Sequence, residues 1–118
     1  LQTHEGLSIL VSALRHLTLL NQLDLSLNFI GAEGMRILAP TLQHLTSLTC
    51  LDLSWNKIGD EGMKELTDVL QYQNSLASLN LRYNKIGDEG MRYLSGGLHH
   101  LTSLTLLNLS FNEIEAKG

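Results

Sequence analysis

The sequence predicts an α/β solenoid, right-handed, with parallel strands along a concave face and helices along the convex face. Three observations carry that expectation. The chain aligns with itself at an offset of 28 residues, so that Leu20 to Asn28 returns as Leu48 to Asn56, Leu76 to Asn84 and Leu104 to Asn112. Within Leu51-Asp52-Leu53 apolar and polar residues alternate, which is the period of a strand with one buried face. From Glu61 onward the apolar residues are Met63, Leu66 and Leu70, which is the spacing of one helix face.

Taken in order, the chain opens in the helix half of a module, because Glu5-Gly6-Leu7 aligns with Glu33-Gly34-Met35. The array then divides into a partial repeat at 1–19, full repeats at 20–47, 48–75 and 76–103, and a partial repeat at 104–118. Each full repeat supplies one strand, one turn and one helix. In the first, Leu20, Leu23, Leu25, Ile30, Met35, Leu38, Leu42 and Leu45 form the core set. Gly59 or Gly87 suits the turn that leaves the strand, where a positive φ is needed. Asp60 and Asp88 are expected as N-caps, and Glu33, Glu61 and Glu89 suit the positive end of a helix. Ala32 offers no cap, and Pro40 removes a backbone donor inside its helix, which is expected to be kinked or shorter than its neighbours. One such unit cannot bury its apolar columns alone, so the modules must stack. Helices are about 10 Å across and strands lie about 4.8 Å apart, so the stack curves with its strands inside.

At 118 residues and 13.1 kDa there is room for one domain. Apolar residues at 43% and charged residues at 17% describe a globular chain. A formal charge of -4 argues against non-specific nucleic-acid binding, which needs a basic surface. No apolar run approaches the roughly 20 residues that span a bilayer, and no signal peptide is visible. The single Cys excludes an internal disulfide framework and favours an intracellular, cytoplasmic setting. The sequence does not begin with Met, and Lys117-Gly118 aligns with Glu89-Gly90, where a helix should start. Polar capping repeats are missing at both ends. A fragment of a longer array is favoured over ends that pair with another copy or residues left disordered, and the uncovered Leu104, Leu107, Leu109 and Ile114 predict self-association.

Four in-register copies of L-x-x-L-x-L-x-x-N, each followed by Ile30, Ile58, Ile86 or Ile114, resemble the leucine-rich repeat family over essentially the whole chain. The 28-residue period and the helical second half are similar to its ribonuclease-inhibitor-type subclass. The resemblance implies that Asn28, Asn56, Asn84 and Asn112 bond to neighbouring turns as a structural ladder. Gly34, Gly62 and Gly90, each before a Met, read as packing requirements.

Recognition falls to the variable strand positions. Alternation places three columns on the concave face: Gln22, Cys50, Ser78 and Leu106; Asp24, Asp52, Asn80 and Asn108; and Ser26, Ser54, Arg82 and Ser110. At the rim stands a further column, Leu27, Trp55, Tyr83 and Phe111, which holds three of the six aromatics in the chain. These rings either anchor a protein partner or pack over the end of the core, and the two roles are compatible. Asp24 and Asp52 read as solvated or partner-facing, with the Asn80, Arg82 and Asn108 half of the wall less acidic. His16, His44 and His100 form a column near helix C-termini without a repeating acid or Cys beside them, so no metal site is expected. No nucleophile elbow, phosphate loop or zinc-protease motif occurs, and no cofactor is implied. The expected function is a non-catalytic module that binds a protein partner on its concave face, with no nucleic-acid or membrane partner. The alternative, implied by the resemblance, is a portion of a GTPase-activating or NOD-like-receptor-type regulatory protein whose activity lies elsewhere.

Overall fold

A computed structural model describes residues 4–114. The elements alternate along the chain: helix α1 (His4–Leu14), strand β1 (Gln22–Asp24), α2 (Gly31–Leu42), β2 (Cys50–Asp52), α3 (Gly59–Leu70), β3 (Ser78–Asn80), α4 (Asp88–Gly97) with a 3₁₀ turn at Leu98–His100, and β4 (Leu106–Asn108). The strands form one parallel sheet in sequence order β1-β2-β3-β4. Their register is the repeat itself: Leu23 pairs with Leu51, Leu51 with Leu79, and Leu79 with Leu107. The α/β solenoid expected from the repeat is the fold observed. Residues 1–3 and 115–118, including the expected alignment at Lys117-Gly118, lie outside the described residues.

The strands are short because the polar residue that ends each of them turns the chain. Asp24 Oδ1 accepts the Ser26 N–H at 2.9 Å, and Asp52 Oδ1 the Ser54 N–H at 2.9 Å. Asn80 and Asn108 do the same for Arg82 and Ser110, each at 3.0 Å. Local acceptors of this kind compete with a sheet ladder and favour a turn. Inter-module bonds nevertheless continue past the strands, from Leu53 N–H to the Asn80 carbonyl and from Trp55 N–H to the Arg82 carbonyl, both at 2.9 Å.

Between sheet and helices lies one apolar core. Leu25, Ile30, Met35, Leu38, Leu42 and Leu45 are buried from the first full repeat, and Leu51, Leu53, Ile58, Met63, Leu66 and Leu70 from the second. Leu20 and Leu23 are half-buried, as are Leu104, Leu107 and Leu109, while Ile114 is exposed. Gln73 occupies a column otherwise filled by Leu17, Leu45 and Leu101. It is buried, and its amide nitrogen donates to the Leu42 carbonyl of the preceding module. A Cβ at Gly62 would stand 2.5 Å from Ile58 Cγ2, and one at Gly90 2.7 Å from Ile86 Cγ2, so the residue before each Met has no room for a side chain.

The asparagines form a ladder. Asn56 is fully buried; its Oδ1 accepts the N–H groups of Asn28 at 2.9 Å and Ile30 at 3.3 Å. Its Nδ2 donates to the carbonyls of Leu25, Leu53 and Ser54. Asn84 repeats the arrangement toward Asn56 and Ile58, and Asn112 toward Asn84 and Ile86.

Four local expectations are corrected. Asp60 does not cap its own helix: α3 is preceded by Ile58, without a side-chain cap. Its Oδ1 instead accepts Gly87 N–H at 2.7 Å and Gly90 N–H at 3.0 Å, capping α4 of the next module. Asp88 is the first residue of α4 rather than its cap, which is Gly87. Gly59 takes the left-handed turn at φ +67°, as does Gly31 at +66°, but Gly87 has φ -101° because Asp60 holds its N–H. Pro40 does not shorten its helix: α2 and α3 both have 12 residues, since Pro40 stands in the last turn of α2 and removes only one donor. The short helix is α4, with 10 residues, which gives way to a 3₁₀ turn after Gly96 and Gly97, both poor helix formers.

Two substitutions test this account. Asn56→Ala removes the acceptor of the Asn28 and Ile30 N–H groups and one of the donors to the Leu25, Leu53 and Ser54 carbonyls, and is expected to lower stability by about 3 kcal/mol in urea unfolding. Asp60→Ala is expected to cost about 1 kcal/mol and to speed amide exchange at Gly87 and Gly90, in the neighbouring module rather than its own.

Candidate functional site

Beyond each of the first three strands the chain makes two left-handed residues, one on either side of the ladder asparagine; beyond β4, among the described residues, Phe111 alone is left-handed. Leu27, Trp55, Tyr83 and Phe111 have φ of +62°, +60°, +58° and +57°. Phe29, Lys57 and Lys85 have φ of +52°, +54° and +58°. This conformation costs an L-residue roughly 1–2 kcal/mol, and it persists where surrounding bonds over-determine it. Those bonds are present. The N–H of Leu27, Trp55 and Tyr83 is held by the next module's carbonyl, and Phe29, Lys57 and Lys85 each lie between two N–H groups bound to one asparagine oxygen.

The result is a pair of parallel rails. One is the column singled out by the sequence, Leu27, Trp55, Tyr83 and Phe111. Its rings stack: Trp55 on Tyr83 with centroids 3.8 Å apart, and Tyr83 on Phe111 at 4.8 Å, nearly parallel at 13° and 11°. They remain open to solvent, from 38% for Tyr83 to 65% for Leu27. The second rail, Phe29, Lys57, Lys85 and Glu113, was not marked as a site by sequence reasoning. Its signal was the single residue between each ladder Asn and the following Ile. Between the rails runs a largely apolar groove of about 340 Å³. Lys57 Nζ sits 5.2 Å over the Phe29 ring, and the Arg82 guanidinium lies 4.6 Å from Phe111 and 5.8 Å from Tyr83.

The neighbouring strand wall carries the other sequence-predicted residues. Gln22 is exposed, and Cys50 and Ser78 are half-buried in register beside it. Asp24 and Asp52 are register partners on β1 and β2, followed by Asn80 and Asn108. Each of these four uses one oxygen on its own turn, so the column also shapes the strand end. The Ser26 hydroxyl, then its amide, hold the Asp24 carboxyl below the usual carboxylate value. Ser54 is expected on the open wall but is buried against Asp52, with its hydroxyl 2.7 Å from Oδ1. Leu106 is 60% exposed and leaves an apolar spot on β4. His16 and His44 lie exposed after their helices, and the His99 and His100 rings are 3.9 Å apart. Among the described residues there is no group of three His, Cys, Asp or Glu placed to hold a metal, and no helix long and apolar enough to cross a membrane.

A family model described as Leucine Rich repeat matches residues 16–39, 42–66, 72–95 and 100–118. No curated protein matches the chain in sequence. Among solved structures the chain is similar to the leiomodin-1 actin-binding site 2, with a TM-score of 0.77 at 17% identity over 91% of this chain and 64% of that one. It is similar to the tropomodulin C-terminal domain of Caenorhabditis elegans, with a TM-score of 0.72 at 19% identity over 87% of this chain and 63% of that one. An internalin from Listeria monocytogenes gives a TM-score of 0.50 at 31% identity over 88% of this chain and 32% of that one. The chain therefore spans 64% and 63% of the length of the first two structures, and at these identities the likeness establishes the fold alone.

Two measurements check the site's local physics. Lys85→Gly relieves a left-handed side chain and is expected to raise stability by up to about 1 kcal/mol in thermal unfolding. In an NMR titration Asp24 should ionise below the ordinary aspartate range, and Ser26→Ala should bring it back up. Because the folded value is the depressed one, this contribution to stability is present at neutral pH and is lost as pH falls through it.

Proposed function

The chain belongs to the leucine-rich repeat family, and we propose that it is a non-catalytic protein-interaction module of the ribonuclease-inhibitor type. In this reading it grips part of a protein partner in the aromatic groove and against the concave strand wall. The 28-residue period and the regular helix in each full repeat support the subclass.

One observation carries the functional reading. A stacked run of three rings stands on left-handed backbone, fixed at Trp55 and Tyr83 by inter-module bonds, and is left between 38% and 61% exposed. The rings cover one another, which answers to the packing role, yet they cover little else. Large rigid aromatics lose little conformational freedom on binding and are common anchors of interfaces. Here the scaffold has already fixed them, so the ordering cost of association falls mainly on the partner. Asp24, Asp52, Asn80, Asn108 and Arg82, with Gln22, Cys50 and Ser78 beside them, then supply polar selectivity along the wall. The leiomodin-1 structure is by name an actin-binding site, which supports a protein ligand for this fold without assigning actin to this chain.

The test is capture of partners on the 118-residue chain, followed by calorimetry with purified partner and variants. Trp55→Ala and Tyr83→Ala are each expected to weaken binding by about 2 kcal/mol, roughly thirtyfold, without unfolding the chain. Unchanged affinity in both folded variants would remove the groove from the interface.

A further inference from the structure

Five of the described cations, Arg15, Lys57, Lys64, Arg82 and Lys85, have no carboxylate partner; Lys57 and Lys85 line the groove together with one carboxylate, Glu113, and Arg82 stands beside its rings. On the helix side, Arg36 is paired with Glu33 and Glu65, and Arg92 with Glu89. Arg82 Nε is buried without a hydrogen-bond partner, although its guanidinium is in contact with two rings. A chain of net charge -4 has acids to spare, yet among the described residues Lys57, Lys85 and Arg82 beside this apolar groove have no carboxylate partner. Cations near apolar surface attract an anion more strongly than cations in open solvent.

We propose that the groove accepts an acidic peptide segment of a partner protein, in which carboxylates alternate with aromatic or aliphatic side chains. This deepens the groove reading above and rests on it. The carboxylates meet Lys57, Lys85 and Arg82; the apolar side chains lie along the edges of Trp55, Tyr83 and Phe111. The spacing suits such a segment, because two of the three rings are followed two residues later by a lysine, Trp55 by Lys57 and Tyr83 by Lys85 one module on, while Phe111 is followed by Glu113.

Two other ligand classes fit less well. A cationic ligand would seek open aromatic faces, but Lys57 and Arg82 already stand over rings. Single-stranded nucleic acid uses aromatic faces as stacking platforms. Here the rings stack on each other at 13° and 11°, which closes the faces between them to bases.

The experiment uses the 118-residue chain and its single tryptophan, Trp55, as reporter. Four labelled probes of equal length are titrated by anisotropy and Trp55 emission: a peptide alternating Glu with Phe and Leu, the same peptide with Lys for Glu, the same peptide with Ser for Phe and Leu, and oligothymidylate. The acidic apolar peptide is expected to bind at least tenfold more tightly than the others, to shift Trp55 emission, and to weaken as salt rises. The double variant Lys57→Glu with Lys85→Glu is expected to reverse the preference between the first two peptides; Lys57→Gln with Lys85→Gln, checked for folding by circular dichroism, should abolish it. Equal or tighter binding of the basic peptide or the oligonucleotide, or no binding of any peptide, overturns the proposal. If both charged peptides bind equally, shift Trp55 and are lost with Tyr83→Ala, the charge inference fails and the groove reading stands. If the acidic peptide binds with Trp55 emission and Tyr83→Ala both silent, the groove reading fails and this proposal with it.

Discussion

The buried side-chain amide at the end of each strand is the constraint on which the molecule depends. Asn56 and Asn84 have no contact with solvent and reach both their own turn and the turn of the preceding module. A single carbonyl oxygen takes two N–H groups separated by one residue, and that residue is forced into left-handed backbone. The same turn forces the residue before the asparagine into a similar conformation. Architecture thereby dictates where side chains leave the scaffold. Both rails of the groove are the residues that the ladder pushes outward, so the candidate site follows from the same bonds that join the modules.

This dependence explains why so much of the fold was legible in the sequence. An apolar column with a period of 28 residues can be buried only by stacking, and sheet register, core and ladder all follow from that offset. The residues that misled were those whose partner sits one module away. Asp60 looks like a cap because it stands at a helix start, but its carboxylate caps the next helix. Gly87 looks like a left-handed turn because Gly59 is one, yet the Asp60 bond holds it elsewhere. Pro40 draws attention as a breaker, but a breaker in the final turn removes little, and the Gly96-Gly97 pair shortens a helix instead. The second rail escaped because Phe29, Lys57, Lys85 and Glu113 are of three different chemistries; what unites them is their place directly after a ladder asparagine.

Left-handed backbone under large side chains also bears on the choice between packing and binding. Glycine or asparagine would meet the ladder's demand with less strain. Mutual stacking offsets part of the cost, at roughly 0.5–1.5 kcal/mol for each aromatic pair. Trp55 and Phe111 each have one ring neighbour in the stack, but Phe111 lies farther from it, at 4.8 Å against 3.8 Å, and is 61% exposed, so of the three rings stacking compensates it least. A column whose purpose was to seal the core would bury its largest surfaces; here the rings stay between 38% and 61% exposed.

Electrostatics completes the argument by giving the site a direction. On the strand wall the in-register column runs from Asp24 and Asp52 to the neutral Asn80 and Asn108, and Arg82 stands beside that neutral half. Lys57 and Lys85 flank the rings on the opposite side. A ligand lying across the modules therefore meets negative charge at the Asp24 and Asp52 end of the wall and, along the groove, two lysines followed by Glu113. Opposed fields on adjoining surfaces reject a ligand of the wrong orientation as well as one of the wrong sign. A rigid array can hold such a pattern because its register is fixed by buried amides rather than by the exposed charges themselves.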